Sequence, residues 1–197
     1  MVRLSKRLSR VLRHAPGSIG LTLDARGWVP VDDLLAALAA HGPPVSREQL
    51  DAVVAGNDKQ RFAVLTGADG VTRIRANQGH SARVPVDLGL PEGSPPALLF
   101  HGTPAGNLPS IMADGLRPGR RHHVHLSADP ATARRVGLRR STEVAVLVVA
   151  AADLARTGQV FQRSENGVWL TDHVPARYLS RPDTTGGARS EPAPETY

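Results

Sequence analysis

The stretch FAVLTGADGVTRIR, residues 62–75, decides how the first half of the chain folds. Aromatic and β-branched residues flank a Gly-Ala-Asp-Gly turn, which predicts a hairpin pairing residues 62–65 with 72–75. Upstream, Leu4, Leu8, Val11 and Leu12 recur at helical spacing while Arg3, Lys6, Arg7, Arg10 and Arg13 take the remaining faces. Pro16 and Gly17 stop this first helix, and no acidic residue precedes Asp24. A short extended stretch, residues 27–31, leads to a second helix over 31–40 with Asp32 and Asp33 near its positive end. Ser46 and Gln49 form a capping box that opens a third helix running to Ala55 and ending at Gly56, followed by a polar loop over 57–61.

Three short helices and a hairpin make the winged-helix pattern, expected over residues 1–81. Residues 82–96 hold four prolines and two glycines and are expected to be a linker. Short strands then alternate with short helices: strands at 97–100, 123–127, 159–162 and 168–171, and helices at 104–113 and 130–136. The unbroken apolar run at 144–149 is expected to be a buried central strand. Residues 97–180 form the expected second lobe, and the Pro/Gly/Ser/Thr-rich stretch 181–197 an expected disordered tail. The fold class is α+β, with a mixed, mainly antiparallel β core in the second lobe.

Composition narrows the function classes. The chain has 197 residues, 41% of them apolar and 21% charged, a globular balance. Its 24 basic and 18 acidic side chains leave a net charge of +6, which suits an anionic partner, although abundant Ala, Gly, Pro and Arg give part of that bias a compositional origin. There is no cysteine, which removes disulfides, thiolate metal sites and cysteine nucleophiles. The start MVRLSKRLSR lacks the apolar stretch of a secretory signal, and the longest apolar run, VAVLVVAAA at 144–152, is far below the ~20 residues that span a bilayer. A soluble cytoplasmic protein without a membrane partner is expected. Seven aromatic residues are too few for a base-stacking platform, so any nucleic acid is held mainly through its phosphates.

Four clusters carry candidate chemistry. Arg13-His14 closes the basic helix, where the dipole favours cations in any case and a bound phosphate is the functional alternative. Asp58-Lys59-Gln60-Arg61-Phe62 holds one of the chain's two lysines, in either a solvated loop or an anion site. His101-Gly102-Thr103 follows the apolar strand at 97–100; it reads as an ordinary strand-end turn or as a grip on a ligand through main-chain amides. In Arg120-Arg121-His122-His123-Val124-His125-Leu126-Ser127, a strand starting at His123 puts His123 and His125 on one face. With His101 these could ligate a metal, but no carboxylate is near in sequence and adjacent arginines oppose a cation, so a phosphate or diphosphate fits better.

Taken in order, Leu4-Ser5-Lys6, Leu12-Arg13-His14, Asp58 to Phe62, Asn77-Gln78-Gly79-His80-Ser81, His101-Gly102-Thr103 and Arg121 to Ser127 resemble the RNA 2′-phosphotransferases of the Tpt/KptA type over residues 3–180. The resemblance implies a winged-helix RNA-binding lobe and an NAD-binding lobe of the ADP-ribosyltransferase fold. It implies removal of an internal 2′-phosphate from RNA, such as the one some ligases leave at a tRNA splice junction. That phosphate attacks the anomeric carbon of the nicotinamide ribose, expelling nicotinamide; the ribose 2″-hydroxyl then attacks phosphorus, freeing the RNA 2′-hydroxyl and ADP-ribose 1″,2″-cyclic phosphate. By resemblance Arg13, His14, Arg61 and Arg121 are catalytic. His101, Gly102, Thr103, His125, Ser127 and Val168 then line the NAD site, and Lys6, Arg10 and Lys59 face RNA. Val168 stands where transferases acting on proteins carry a Glu, in keeping with a nucleophile that arrives already ionised. No metal is required, and a monomer is expected.

Two other readings make distinct predictions. An ADP-ribosyltransferase that caps phosphate ends of RNA or DNA would stop at a stable adduct. A winged-helix DNA-binding regulator would bind duplex tightly without consuming NAD, yet the presumed recognition helix, residues 46–55, carries a single basic residue, Arg47.

Overall fold

The structure, a computed structural model, describes residues 2–56 and 60–181. Its first core grows from the predicted apolar stripe: α1 (Val2–Arg13) buries Leu8, Val11 and Leu12 and leaves Arg3, Lys6 and Arg10 in water. Ala15 and Pro16 break the helix into a 3₁₀ turn, Pro16–Ile19. β1 (Val29–Pro30) leads into α2 (Val31–Ala40). Arg7 donates to the carbonyls of Leu38 and Pro43, both at 2.6 Å, and so sets a cation where the last carbonyls of α2 lack helical partners. α3 (Arg47–Ala55) starts with the predicted capping box: the Gln49 N–H donates to Ser46 Oγ at 3.2 Å, and the Ser46 N–H to Gln49 Oε1 at 3.0 Å.

The predicted hairpin forms as β2 (Phe62–Thr66) and β3 (Thr72–Ala76), each strand one residue longer than expected. Its turn is closed by Gly67 N–H to Val71 O, with Gly70 at φ 75°, where a side chain would be strained. β1 pairs on the far side of β3, Val29 opposite Ile74, giving the order β1-β3-β2. Leu34, Leu38, Leu50, Val53, Phe62 and Ile74 join the α1 stripe in this core. Each fully buried leucine contributes roughly 1.5–3 kcal/mol.

A second core lies C-terminal to Ala97. β4 (Leu98–Pro104), α4 (Leu108–Asp114), β5 (Val124–Leu126), α5 (Pro130–Gly137), β6 (Val144–Ala150), α6 (Ala151–Ala155), β7 (Gln162–Arg163), β8 (Trp169–Thr171) and β9 (Leu179–Ser180) build two three-stranded sheets, ordered β4-β6-β9 and β5-β8-β7. A bridge between Phe100 and Ser127 joins the sheets, and α5 lies on β4 and β6. Leu99, Leu126, Leu147, Val149, Leu154, Phe161 and Trp169 form the apolar centre.

The α+β class stands, with one correction: every strand pair among the described residues is antiparallel, so the expected mixed pairing is absent there. β6 is central as expected but only Leu147 and Val149 are fully buried along it. β4 is longer than predicted because His101, Gly102 and Thr103 pair in register with Leu147, Val146 and Ala145 of β6; it does not stop at Phe100. The expected strand at 159–162 is reduced to Gln162–Arg163, since Thr171 Oγ1 occupies the carbonyl of Val160 and accepts from Gln159 Nε2. Val84 and Leu90, from the proline-rich stretch, are buried, and the Val84 carbonyl lies 2.9 Å from His122 Nε2. Among the described residues no helix is long and apolar enough to cross a membrane. The tail from 182 onward lies outside the described residues.

Candidate active site

The turn after β3, residues 77–81, ties together segments far apart in sequence. Asn77 is buried; its N–H donates to the Arg61 carbonyl at 3.0 Å and its side-chain amide to the Gln60 carbonyl at 2.7 Å. Gln60 is held at φ 39°, an uncommon conformation for a residue with a Cβ, immediately before Arg61. Arg13 donates to the Arg61 carbonyl at 3.3 Å. The Ser81 N–H donates to the Arg13 carbonyl at 2.9 Å, Ser81 Oγ lies 2.7 Å from His14 Nδ1, and Ser81 forms an antiparallel bridge with Arg121. Gln78 reaches His125 Nε2 at 2.9 Å.

Electrostatics follow from this convergence. Burial, and then the charges of Arg121, Arg61 and Arg139, bring the Arg13 pKa down to about 10, still a cation at neutral pH. Arg121 is pushed down by burial and then by Arg140 and Arg139; Arg139 by burial and then by Arg61 and Arg135. None of Arg13, Arg121, Arg139 and Arg140 has an acidic partner among the described residues. Uncompensated cations this close repel one another, so the cluster is built to receive an anion. His14 is held below its ordinary pKa by burial, then by Arg13 and Arg121.

His101, His123 and His125 are all held below the ordinary imidazole pKa, chiefly by burial. His125 is driven down to about 3, first by burial and next by Arg121, and its Nδ1 lies 2.9 Å from the His123 carbonyl. Both ring nitrogens face an oxygen, the His123 carbonyl at Nδ1 and Gln78 Oε1 at Nε2, and a neutral ring donates to one of them. His101 Nδ1 lies 3.0 Å from the His125 carbonyl, and burial is the main cause of its lowered pKa. The three-histidine metal alternative is not assembled. β5 starts at Val124, His123 faces Asp172 at 3.7 Å, and the described residues contain no group of three potential ligands.

Arg13, His14, Arg61, Arg121, His101 and His125 therefore share one connected region. Ser127 exchanges main-chain hydrogen bonds with Phe100 at 2.8 and 2.9 Å, beside His101. Val168 lies one residue past the pair Leu126–Trp169, at the end of the sheet where Ser127 sits. A Cβ on Gly102 would lie 1.8 Å from the Ala133 carbonyl, so the missing side chain admits α5. Alternation puts His101 and Thr103 on the opposite face, and the Thr103 hydroxyl is engaged by Asn107 Nδ2 at 3.1 Å. Lys6 and Arg10 line the exposed face of α1 that leads to Arg13, while Lys59 lies outside the described residues. Sequence reading gave no role to Arg139 and Arg140, or to Gln78 and Ser81. A signal for the arginines existed: residues 130–142 hold four arginines and no acid.

Arginines without an acidic partner among the described residues, with an imidazole beside them, suit a phosphate ligand, and comparison with known proteins places the chain among phosphotransferases acting on RNA. The chain belongs to the RNA 2′-phosphotransferase, Tpt1/KptA family, whose model matches residues 1–173. It is 59% identical over 181 residues to a probable RNA 2′-phosphotransferase of Streptomyces coelicolor, covering 92% of this chain and 95% of that one. Proteins of the same description from Agrobacterium fabrum (54% over 176 residues, 89% and 91% covered) and Burkholderia pseudomallei (51% over 180, 91% and 95%) are also similar.

Proposed function

We propose that this RNA 2′-phosphotransferase is NAD-dependent and removes an internal 2′-phosphate from RNA by the two-step route given above. The convergence of Arg13, His14, Arg61 and Arg121 from three separate segments, with Arg13 and Arg121 lacking an acidic partner among the described residues, is the observation that carries the reading. In this reading α1, α2, α3 and the hairpin are a winged-helix lobe that meets RNA along Lys6 and Arg10. Residues 97–180 are an ADP-ribosyltransferase-like lobe in which His101, Thr103, His125, Ser127 and Val168 line the dinucleotide site. NAD fits because the arginines outnumber what one phosphate needs: Arg139 and Arg140 adjoin Arg121 and remain for a diphosphate. The dinucleotide supplies an electrophilic anomeric carbon with a neutral leaving group.

The chain's own residues do the rest. Guanidinium groups hold two anions together and stay protonated throughout, pairing with phosphate oxygens bidentately. The same groups stabilise charge that gathers on the nonbridging oxygens when phosphorus is attacked. In the free enzyme burial, then Arg13 and Arg121, hold His14 below its ordinary pKa. A bound phosphate offsets those charges and raises the imidazole pKa, so His14 gains a proton when there is a departing 2′-oxygen to receive it.

The test is incubation with NAD and a short oligoribonucleotide bearing one internal 2′-phosphate, with mass spectrometry of both products. A free 2′-hydroxyl and ADP-ribose 1″,2″-cyclic phosphate are expected, and Arg61→Ala and Arg121→Ala should each slow the reaction by about 100-fold or more. Wild-type rates in both variants would remove the phosphate clamp. A stable ADP-ribosyl adduct would favour end-capping instead.

A further inference from the structure

Ser81 touches three of the four candidate catalytic residues, and its hydroxyl has one of them to itself. The main chain of Ser81 holds Arg13 and Arg121 through the 2.9 Å hydrogen bond and the antiparallel bridge, contacts any residue type could make. The hydroxyl adds the 2.7 Å contact to His14 Nδ1. We propose that Ser81 is a positioning residue: its hydroxyl fixes the His14 ring, leaves Nε2 as the free nitrogen toward bound phosphate, and turns from donor to acceptor as His14 takes up a proton.

The choice of a hydroxyl has a chemical reason. A hydroxyl both donates and accepts, so one Oγ serves the neutral ring in either tautomer and the imidazolium, whose Nδ1–H must donate. A carboxylate here would favour the imidazolium before substrate arrives, and an alanine would leave Nδ1 to water. The charged and titratable groups facing His14 are Arg13 beside it in sequence, Arg121 across the bridge and His80 in the turn that carries Ser81. Arg13 and Arg121 oppose a proton on His14, so the hydroxyl is the contact that accommodates one.

The inference rests on the reading of His14 as the proton-handling group, and two measurements keep the failures apart. First, kcat, KM and the rate–pH profile are measured for wild type, Ser81→Ala, Ser81→Thr and Ser81→Asp with NAD and the 2′-phosphorylated oligoribonucleotide, alongside thermal unfolding. Ser81→Ala should lower kcat about tenfold with KM for NAD within about twofold, and Ser81→Thr should restore most of the loss. The limb of the profile governed by His14 should move down by about one pH unit in Ser81→Ala and up by a similar amount in Ser81→Asp. Second, the ring nitrogens of His14 are titrated by ¹⁵N NMR in the free wild type and the same variants, which reads the shift without turnover. An unmoved titration in Ser81→Ala and Ser81→Asp overturns the inference whatever the activity. A moved titration in an enzyme that releases no 2′-phosphate upholds the Ser81 contact and overturns the proposed function.

Discussion

Arg13 holds a charge where water is scarce, and the cost falls on the folded state. Its pKa drops from the ordinary guanidinium range to about 10 in the native protein, so the unfolded chain binds that proton more tightly. The penalty is therefore complete at neutral pH and is relieved only as pH rises above about 10. At 1.36 kcal/mol per unit it amounts to ~3 kcal/mol, an order-of-magnitude figure. Arg13→Gln should raise the melting temperature by about 5 °C once its lost hydrogen bond to Arg61 is allowed for, while slowing 2′-phosphate removal by about 100-fold or more. Scanning calorimetry beside the oligonucleotide assay checks both, and a variant that melts lower than wild type would show that Arg13 is structural. Arg13 and His14 were legible because they end a helix with no acid in reach. Arg139 and Arg140 were not, because dibasic pairs are common in this chain and these two matter only through α5, which carries them to Arg121.

At the scale of elements, the legible parts were those settled by local chemistry. The capping box at Ser46, the α1 stripe and the turn at Gly70 each follow from neighbours within a few residues, and each formed. The extent of β4 was not legible, because its last residues are strand only by pairing with β6, some forty positions away. Gly102 shows the same limit: its meaning lies in α5, whose Ala133 carbonyl would stand 1.8 Å from a Cβ, with Gly137 close behind. Gly102→Ala should destabilise the protein by about 3 kcal/mol or more, since backbone rather than a flexible side chain must yield. Gly106→Ala, a few residues on, adds a Cβ with nothing within 4 Å and should leave stability within about 0.5 kcal/mol of wild type. Urea unfolding of the pair decides the matter. Equal midpoints would mean that α5 is not pressed on β4 as described.

For the whole molecule, the break in texture near residue 82 was visible, but the join across it was not, because it consists of single long-range contacts. Arg75 stacks on Trp28 in the first core and meets Glu165 of the second at 3.3 Å; Gln78 and Ser81 reach His125 and Arg121. His80 sits among them, buried, with both ring nitrogens unpartnered among the described residues. Burial and then the charge of Arg13 lower its pKa from 6.5 to about 4. The unfolded chain protonates His80 below pH 6.5 while the native protein resists, so stability falls as pH drops from 6.5 toward 4. Over that window His80 accounts for ~3 kcal/mol, and His125, lowered further, extends the loss toward pH 3. Urea midpoints measured from pH 7 to 4 should therefore fall steeply in wild type and less so in His80→Leu, which cannot titrate and leaves no imidazole unpaired. A variant with the wild-type slope would move the acid sensitivity away from this junction and onto the exposed carboxylates.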